Sequence, residues 1–204
     1  MIKRTFDIAM AAILLLILSP IMLVVALLIR LDMGGDVFFR QWRPGKDEVP
    51  FQVIKFKTMR DAVDSQGQPL PDEERVTRLG LWIRRASLDE FPQLFNILKG
   101  DMSFVGPRPL LMDYLPYFIG DERRRHEVRP GVTGLAQVNG RQDISWERKL
   151  RLDVDYVDHH TLWLDLQILF ATVAVVFKRE GILYAAPQGR LDDYRESLGL
   201  RHEA

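Results

Sequence analysis

The chain has 204 residues, 28 Lys plus Arg against 28 Asp plus Glu, and no Cys. That length suits one cored domain better than two. The charge balance does not point to nucleic acid or to acidic substrates, and the lack of Cys excludes disulfides, thiolate metal sites and a cysteine nucleophile.

Residues 8–29 are almost unbroken apolar, with Lys3, Arg4 and Asp7 before them, Arg30 and Asp32 after them, and Ser19-Pro20 near the middle. A helix of this length reaches about 30 Å, enough to cross a bilayer core. No small-residue cleavage site supports a signal peptide, and a run with no polar face does not suit a soluble helix. A straight span and a re-entrant helix stay open. Pro20 predicts a kink, with Ser19 able to bond a carbonyl that the proline leaves free. Basic residues at both ends suit a segment that leaves by the face it entered.

Residues 36–42 and 50–56 read as two short strands around the turn Arg43-Pro44-Gly45-Lys46, which predicts a β-hairpin. Residues 61–74 read as a surface loop, and 75–85 and 88–99 as helices. The second of these presents Phe91, Leu94, Phe95 and Leu98 on one face and closes at Gly100. Residues 113–129 are charged and predicted helical, 132–142 Gly-rich and irregular, and 146–157 helical again. Residues 161–177, with Trp163 near their start, suit an interfacial or core helix. The chain divides into an anchor over 1–32, a globular part over 33–185 and a polar tail over 186–204, for which partial disorder is expected.

The residues with chemical potential cluster in a few segments. Ser87-Leu88-Asp89-Glu90 has the spacing of a capping box, the bland reading of these carboxylates. The same residues at a helix N-terminus, with Arg84 and Arg85 nearby, suit an ionised carboxylate attacking a diphosphate, assisted by a divalent cation beside Asp89. In Gly106-Pro107-Arg108-Pro109 the prolines hold one guanidinium in place for phosphate, or make a turn with a solvated Arg. The stretch 130–141 offers glycines for close backbone approach to a ligand and polar tips at Gln137, Asn139 and Arg141. Arg123-Arg124-Arg125 reads as a solvated or lipid-facing run. Asp153 reads as helix surface or as a substrate-site ligand, and adjacent His159 and His160 do not share a face as metal ligands would.

These segments resemble the bacterial sugar transferase family, the small monotopic phosphoglycosyl transferases. The resemblance rests on Lys3-Arg4-x-Phe6-Asp7 with Ser19-Pro20, Lys55-Phe56-Lys57-Thr58-Met59, Ser87-Leu88-Asp89-Glu90-Phe91-Pro92-Gln93-Leu94, the stretch from Gly100 to Pro109, and the loop from Pro130 to Arg141. It implies an α+β fold, mostly helical with a small β-hairpin, a re-entrant membrane helix broken at Ser19-Pro20, and interfacial amphipathic helices. It also implies a covalent mechanism. Asp89 would attack a UDP-sugar, expel UMP and pass the sugar phosphate to undecaprenyl phosphate, with Glu90 positioning or deprotonating the lipid phosphate and Mg²⁺ beside Asp89. Arg84 and Arg108 would hold phosphate oxygens, and Gln137 and Arg141 would shape the nucleotide-sugar site. Lys57, which stands where many members carry Arg and keeps the cation, would join the phosphate- and substrate-binding residues. The resemblance implies the cytoplasmic face of the bacterial inner membrane and a first membrane step in glycoconjugate (exopolysaccharide) assembly. The short chain resembles members that start on an acetamido sugar. A membrane-bound scaffold and a metal-dependent nucleotide-sugar phosphohydrolase are the rival expectations, and a homodimer is left open.

Overall fold

The computed structural model describes residues 2–140, 144–178 and 189–200. In chain order its elements are α1 (Ile2–Met33), β1 (Phe38–Pro44), β2 (Pro50–Phe56), α2 (Asp72–Arg75), α3 (Arg78–Arg85), α4 (Gln93–Lys99), β3 (Ser103–Val105), β4 (Gly131–Thr133), α5 (Leu135–Val138), α6 (Trp146–His159), α7 (Leu162–Lys178) and α8 (Leu191–Ser197). The fold is α+β and mostly helical, with β1 and β2 forming the expected antiparallel hairpin from Phe38↔Phe56 to Pro44↔Pro50. A second, parallel pair of β3 and β4 was not foreseen, because strands this short carry no alternation to read.

Helix α1 contains Pro20 and is a single hydrogen-bonded element from Ile2 to Met33, the described helix long and apolar enough to cross a membrane. Pro20 cannot donate to the carbonyl of Leu16; Ser19 Oγ donates to it instead at 2.9 Å. Asp7, Ala11, Met22, Val25 and Ile29 are buried along one stripe, with Leu15 and Leu18 packed between them. The opposite face, including Ile13, Leu16, Ile17, Leu23, Val24 and Leu27, is exposed.

Both ends of α1 are fastened to the same domain. At the start, Lys3 Nζ donates to Asp165 Oδ2 at 2.5 Å and to the Val105 carbonyl at 3.1 Å. Arg4 donates to the Ile97 and Leu98 carbonyls that α4 leaves free at its C-terminus. Asp7 accepts from Phe104 N at 3.3 Å. At the far end, Ile29 packs with Phe56 and Ile83, and Arg60 Nη2 donates to the Asp32 carbonyl at 3.3 Å.

Several expected helices are broken up, each for a local reason. The expected helix over 75–85 starts at Arg78 as α3, with Thr77 capping it by accepting from Gly80 N at 2.9 Å, while the expected loop ends in the short helix α2 (Asp72–Arg75). Residues 88–99 split into a 3-10 turn (Leu88–Glu90) and α4, with Pro92 between them; a proline lacks the N–H that a continuous helix needs. Helix α4 does close at Gly100, in the left-handed region at φ +100°. Of the expected apolar face, Leu94 is buried and Phe91 and Leu98 pack against the core, whereas Phe95 is exposed; Gln93, Asn96 and Ile97 are buried as well, with Asn96 bonded to the hairpin backbone at Ile54 N (3.0 Å) and Gln52 O (2.7 Å). The charged 113–129 stretch forms 3-10 segments, Met112–Tyr117 and Gly120–His126, with Pro116 inside one and Gly120 at φ +55° opening the other.

The described part of the tail, residues 189–200, carries helix α8 packed on the domain. Leu191 is fully buried among Tyr114, Tyr117, Trp146 and Leu150, and Arg195 donates to Glu122 at 2.6 Å. On α7, Asp165 and Ile168 turn inward while Trp163, Phe170 and Val173 are exposed. That apolar outer face matches the expectation of an interfacial helix.

Candidate active site

Four segments meet at the carboxylates. Helix α3 ends at Arg85, and Ser87 then adopts φ +54°, a left-handed conformation costing a non-glycine residue roughly 1–2 kcal/mol. The Ser87 side chain makes no cap bond, so the capping-box reading of Ser87 and Glu90 fails. The reversal delivers Asp89 and Glu90 in the 3-10 turn ahead of Pro92. They precede α4 rather than occupying its first turn, so nearby side chains, more than a helix dipole, set their charge.

Those side chains are Lys55 and Arg108. Lys55 Nζ lies 3.1 Å from Glu90 Oε1 and 3.8 Å from Asp89 Oδ2. Arg108 Nη2 donates to the same Glu90 oxygen at 2.6 Å. Burial pushes the Glu90 carboxyl up, but Arg108 and Lys55 together bring it down to about 2. Burial pushes Asp89 above its usual range; Lys55 opposes this and neighbouring Glu90 adds to it. The pair therefore divides its work: Glu90 is an ionised clamp for two cations, and Asp89 is the more basic carboxylate.

Lys55 was missing from the sequence-predicted site, although its position was readable. Buried Phe51 and Val53 alternate along β2, and Lys55 is the next residue on that face. Lys57, which was expected there, is instead buried and paired with Asp61. Arg84 donates through Nε to Thr58 Oγ1 at 2.9 Å, close enough to act electrostatically on Asp89. That packing requires Gly80, where a Cβ would stand 2.0 Å from the Thr58 carbonyl oxygen.

The other expected residues reach the site indirectly or stay away from it. Asp153 is neither helix surface nor a ligand at the carboxylates. Its Oδ2 accepts from Arg125 Nη2 at 2.7 Å and Nε at 3.0 Å, both side chains being buried. Arg125 Nη2 also donates to the Arg108 carbonyl at 2.7 Å, so this ion pair holds the backbone that carries Arg108. The expectation of a solvated run at Arg123-Arg124-Arg125 therefore fails at Arg125.

The glycines of the 130–141 loop serve backbone packing instead of an open ligand cradle. A Cβ at Gly131 would meet Gly106 N at 2.2 Å, and one at Gly134 would meet Gly106 O at 2.2 Å. Gln137 is turned inward, with both amide atoms buried and without a partner among the described residues. Arg141 lies outside the described residues.

Beside the carboxylates a pocket opens between the hairpin and the Pro107–Pro109 turn, lined by Phe39, Gln41, Arg43, Val53, Lys55, Gln93, Arg108 and Pro109. Among the described residues no cluster of metal-ligating side chains forms a protein cage. The donor set still fits magnesium, which usually takes one or two carboxylates and completes its shell with water and substrate phosphates. Asp89, with Lys55 no nearer than 3.8 Å, is the carboxylate free to serve it.

Comparison with known proteins gives the family. The model of the family described as Bacterial sugar transferase matches residues 1–179. The Bacillus subtilis (strain 168) protein named Uncharacterized sugar transferase EpsL is 55% identical over 181 residues, covering 89% of this chain and 90% of that protein. A UDP-glucose:undecaprenyl-phosphate glucose-1-phosphate transferase of Caulobacter vibrioides is 41% identical, covering 84% of this chain and 68% of that protein. An Undecaprenyl-phosphate glucose phosphotransferase of Komagataeibacter xylinus is also 41% identical, but the match spans 35% of its length and 84% of this chain. The chain belongs to the bacterial sugar transferase family and is a transferase enzyme.

Proposed function

We propose that the chain transfers a sugar 1-phosphate from a UDP-sugar to undecaprenyl phosphate, releasing UMP, through a covalent phosphosugar on Asp89. The observation that carries this reading is the division between the two carboxylates. Glu90 neutralises and fixes Lys55 and Arg108, and leaves Asp89 as a basic carboxylate beside two phosphate-binding cations. In the first step an Asp89 oxygen bonds to the β-phosphorus, the bond to the bridging oxygen breaks, and UMP departs with that oxygen and its electron pair. In the second, an oxygen of the lipid phosphate bonds to the same phosphorus and Asp89 leaves as a free carboxylate.

Lys55 and Arg108 meet the charge that develops on the phosphoryl oxygens. Glu90, at about 2, is too weak a base for proton abstraction and acts by positioning both cations. Asp89, together with the donor diphosphate, would hold Mg²⁺. When bound, the ion would neutralise diphosphate charge and ease departure of the leaving group.

The same reading makes the protein monotopic, with α1 re-entrant at the cytoplasmic face of the bacterial inner membrane. Support comes from the fastening of α1 at Lys3, Arg4 and Asp7 and again at Ile29 and Asp32 by one domain. A straight span would carry one end about 30 Å away across the hydrocarbon core. The exposed α1 face, Trp163 and Phe170 supply an apolar surface for shallow insertion.

The test is UMP release from a panel of UDP-sugars by the full chain in phospholipid nanodiscs, with and without undecaprenyl phosphate and Mg²⁺. Release that depends on lipid and metal is expected. Multiple turnovers without lipid would instead make the protein a hydrolase, and no release from any donor would return it to a scaffold role. Lys55→Gln is expected to lower kcat about 10–100-fold, the worth of one charge-assisted phosphate contact. It should also move the acid limb of the pH profile upward, because Lys55 holds the Asp89 pKa down. An unmoved limb would remove Lys55 from the site.

A further inference from the structure

Helix α8 lies outside residues 1–179, the stretch that the family model matches, yet it is bonded to the part of the domain that carries Arg108. Leu191 anchors it, fully buried among Tyr114, Tyr117, Trp146 and Leu150. Around this anchor the polar contacts are short. Tyr194 Oη donates to Glu147 Oε1 on α6 at 2.6 Å, and Tyr117 Oη donates to Glu196. Arg195, only 4% exposed, donates through Nη2 to Glu122 Oε1 at 2.6 Å.

From Arg195 a line of hydrogen bonds runs to the active site. Glu122 divides its carboxylate: Oε1 accepts from Arg195, and Oε2 accepts from Ile119 N at 2.8 Å. Ile119 is the residue at which the chain enters the 3-10 segment Gly120–His126. That segment carries Arg125, whose buried guanidinium holds Asp153 and the Arg108 carbonyl. Runs of 3-10 helix beyond three or four residues are uncommon, because their hydrogen bonds are poorly aligned. This longer segment therefore leans on side-chain contacts, and Glu122 is the side chain that ties down its entry. A charge-assisted bond from a planar, buried guanidinium fixes that carboxylate in place.

We propose that Arg195 is a positioning residue and α8 a strap: by holding Glu122, it keeps the Gly120–His126 segment, and through Arg125 the Arg108 backbone, where the Arg108 guanidinium reaches Glu90. The effect on turnover rests on the proposed function, in which Arg108 meets phosphoryl charge; the link from α8 to the segment does not. Arg195 touches no reacting group and acts only through Glu122 and Arg125. Asp153 holds Arg125 independently of α8, so loss of the strap loosens Arg108 without releasing it.

The experiment uses the full chain in phospholipid nanodiscs, well below its melting temperature, with two readouts. One is turnover against pH; the other is amide hydrogen exchange at Ile119, which needs no substrate. Arg195→Gln is expected to speed exchange at Ile119 about tenfold, the worth of one charge-assisted hydrogen bond at the low end. It should lower kcat about tenfold, short of the roughly 100-fold that a misplacement of about 1 Å can cost. The acid limb of the pH profile should move upward, because Arg108, after Lys55, holds down the Asp89 pKa that burial raises. Arg195→Lys should recover part of both effects. Tyr194→Phe, which frees α8 from Glu147 but keeps Arg195 on Glu122, should leave kcat and the acid limb unchanged. Should Arg195→Gln fail to fold, Glu122→Gln gives the same comparison, since it keeps an oxygen for Ile119 N and removes the charge that Arg195 binds. Unchanged exchange at Ile119 overturns the strap. Faster exchange with wild-type kcat and acid limb makes α8 a stabilising element and overturns the positioning role. If the wild-type chain releases no UMP from any UDP-sugar, the transferase reading fails and exchange alone decides the strap, faster exchange upholding it.

Discussion

Asp89→Asn is expected to lower UMP release by on the order of 10⁴-fold or more, since an amide cannot form the acyl phosphate and removal of a nucleophile costs that much in comparable enzymes. The fold should survive, because the change is isosteric and, among the described residues, the ion pair of Asp89 is a long one, to Lys55 at 3.8 Å. A trapping experiment gives the complementary readout. Wild-type protein incubated with a UDP-sugar but no lipid should gain the mass of one phosphosugar, and the Asn variant should gain none. Turnover near the wild-type rate in that variant would remove the covalent intermediate. The pH dependence follows from the same environment. Burial raises the Asp89 pKa and catalysis needs its ionised form, so the rate climbs as pH rises through a value above the ordinary carboxylate range. Glu90, at about 2, stays ionised throughout and adds no second limb near neutrality.

Arg125→Met is expected to destabilise the protein by about 3–5 kcal/mol, the usual consequence of leaving a buried charge without its partner. Burial pushes the Asp153 carboxyl up while Arg125 pulls it down, and two donors on one oxygen favour its charged form. Replacing both residues, Arg125→Met with Asp153→Leu, should restore most of the thermal stability measured by scanning fluorimetry. Activity should not return with it, because the Arg108 carbonyl still lacks the donor at 2.7 Å that Arg125 supplied. Recovery of stability and full activity together would make the pair a packing feature with no bearing on Arg108.

How far the site could be read from the chain differs residue by residue, for physical reasons. Asp89, Glu90 and Arg108 were legible because each sits in a short segment whose prolines and glycines leave the backbone few conformations. Lys55 was legible in principle from the alternation of β2, yet it was passed over for Lys57, and only the hairpin's position against the 3-10 turn shows which lysine faces the carboxylates. Asp153 and Arg125 were misread because burial is decided by distant packing. A charged residue on a polar helix looks solvated until a partner 28 positions away is placed against it. The Gly-rich loop looked like a ligand cradle, but its glycines are needed where β4 presses on Gly106.

By itself the sequence determined the local devices: the long apolar helix with its Ser19-Pro20 pair, the hairpin with its turn, and the glycine stop after α4. It also determined the residues able to do phosphoryl chemistry. These depend on neighbours a few positions apart, so hydrophobic period, proline and glycine reveal them. The tertiary structure alone decided that one domain holds both ends of α1, that Glu90 rather than Asp89 takes Arg108, and that the tail helix packs on Tyr114 and Trp146. Each of those outcomes joins segments remote in the chain, and which of two adjacent carboxylates is neutralised depends on where a distant cation is fixed in space.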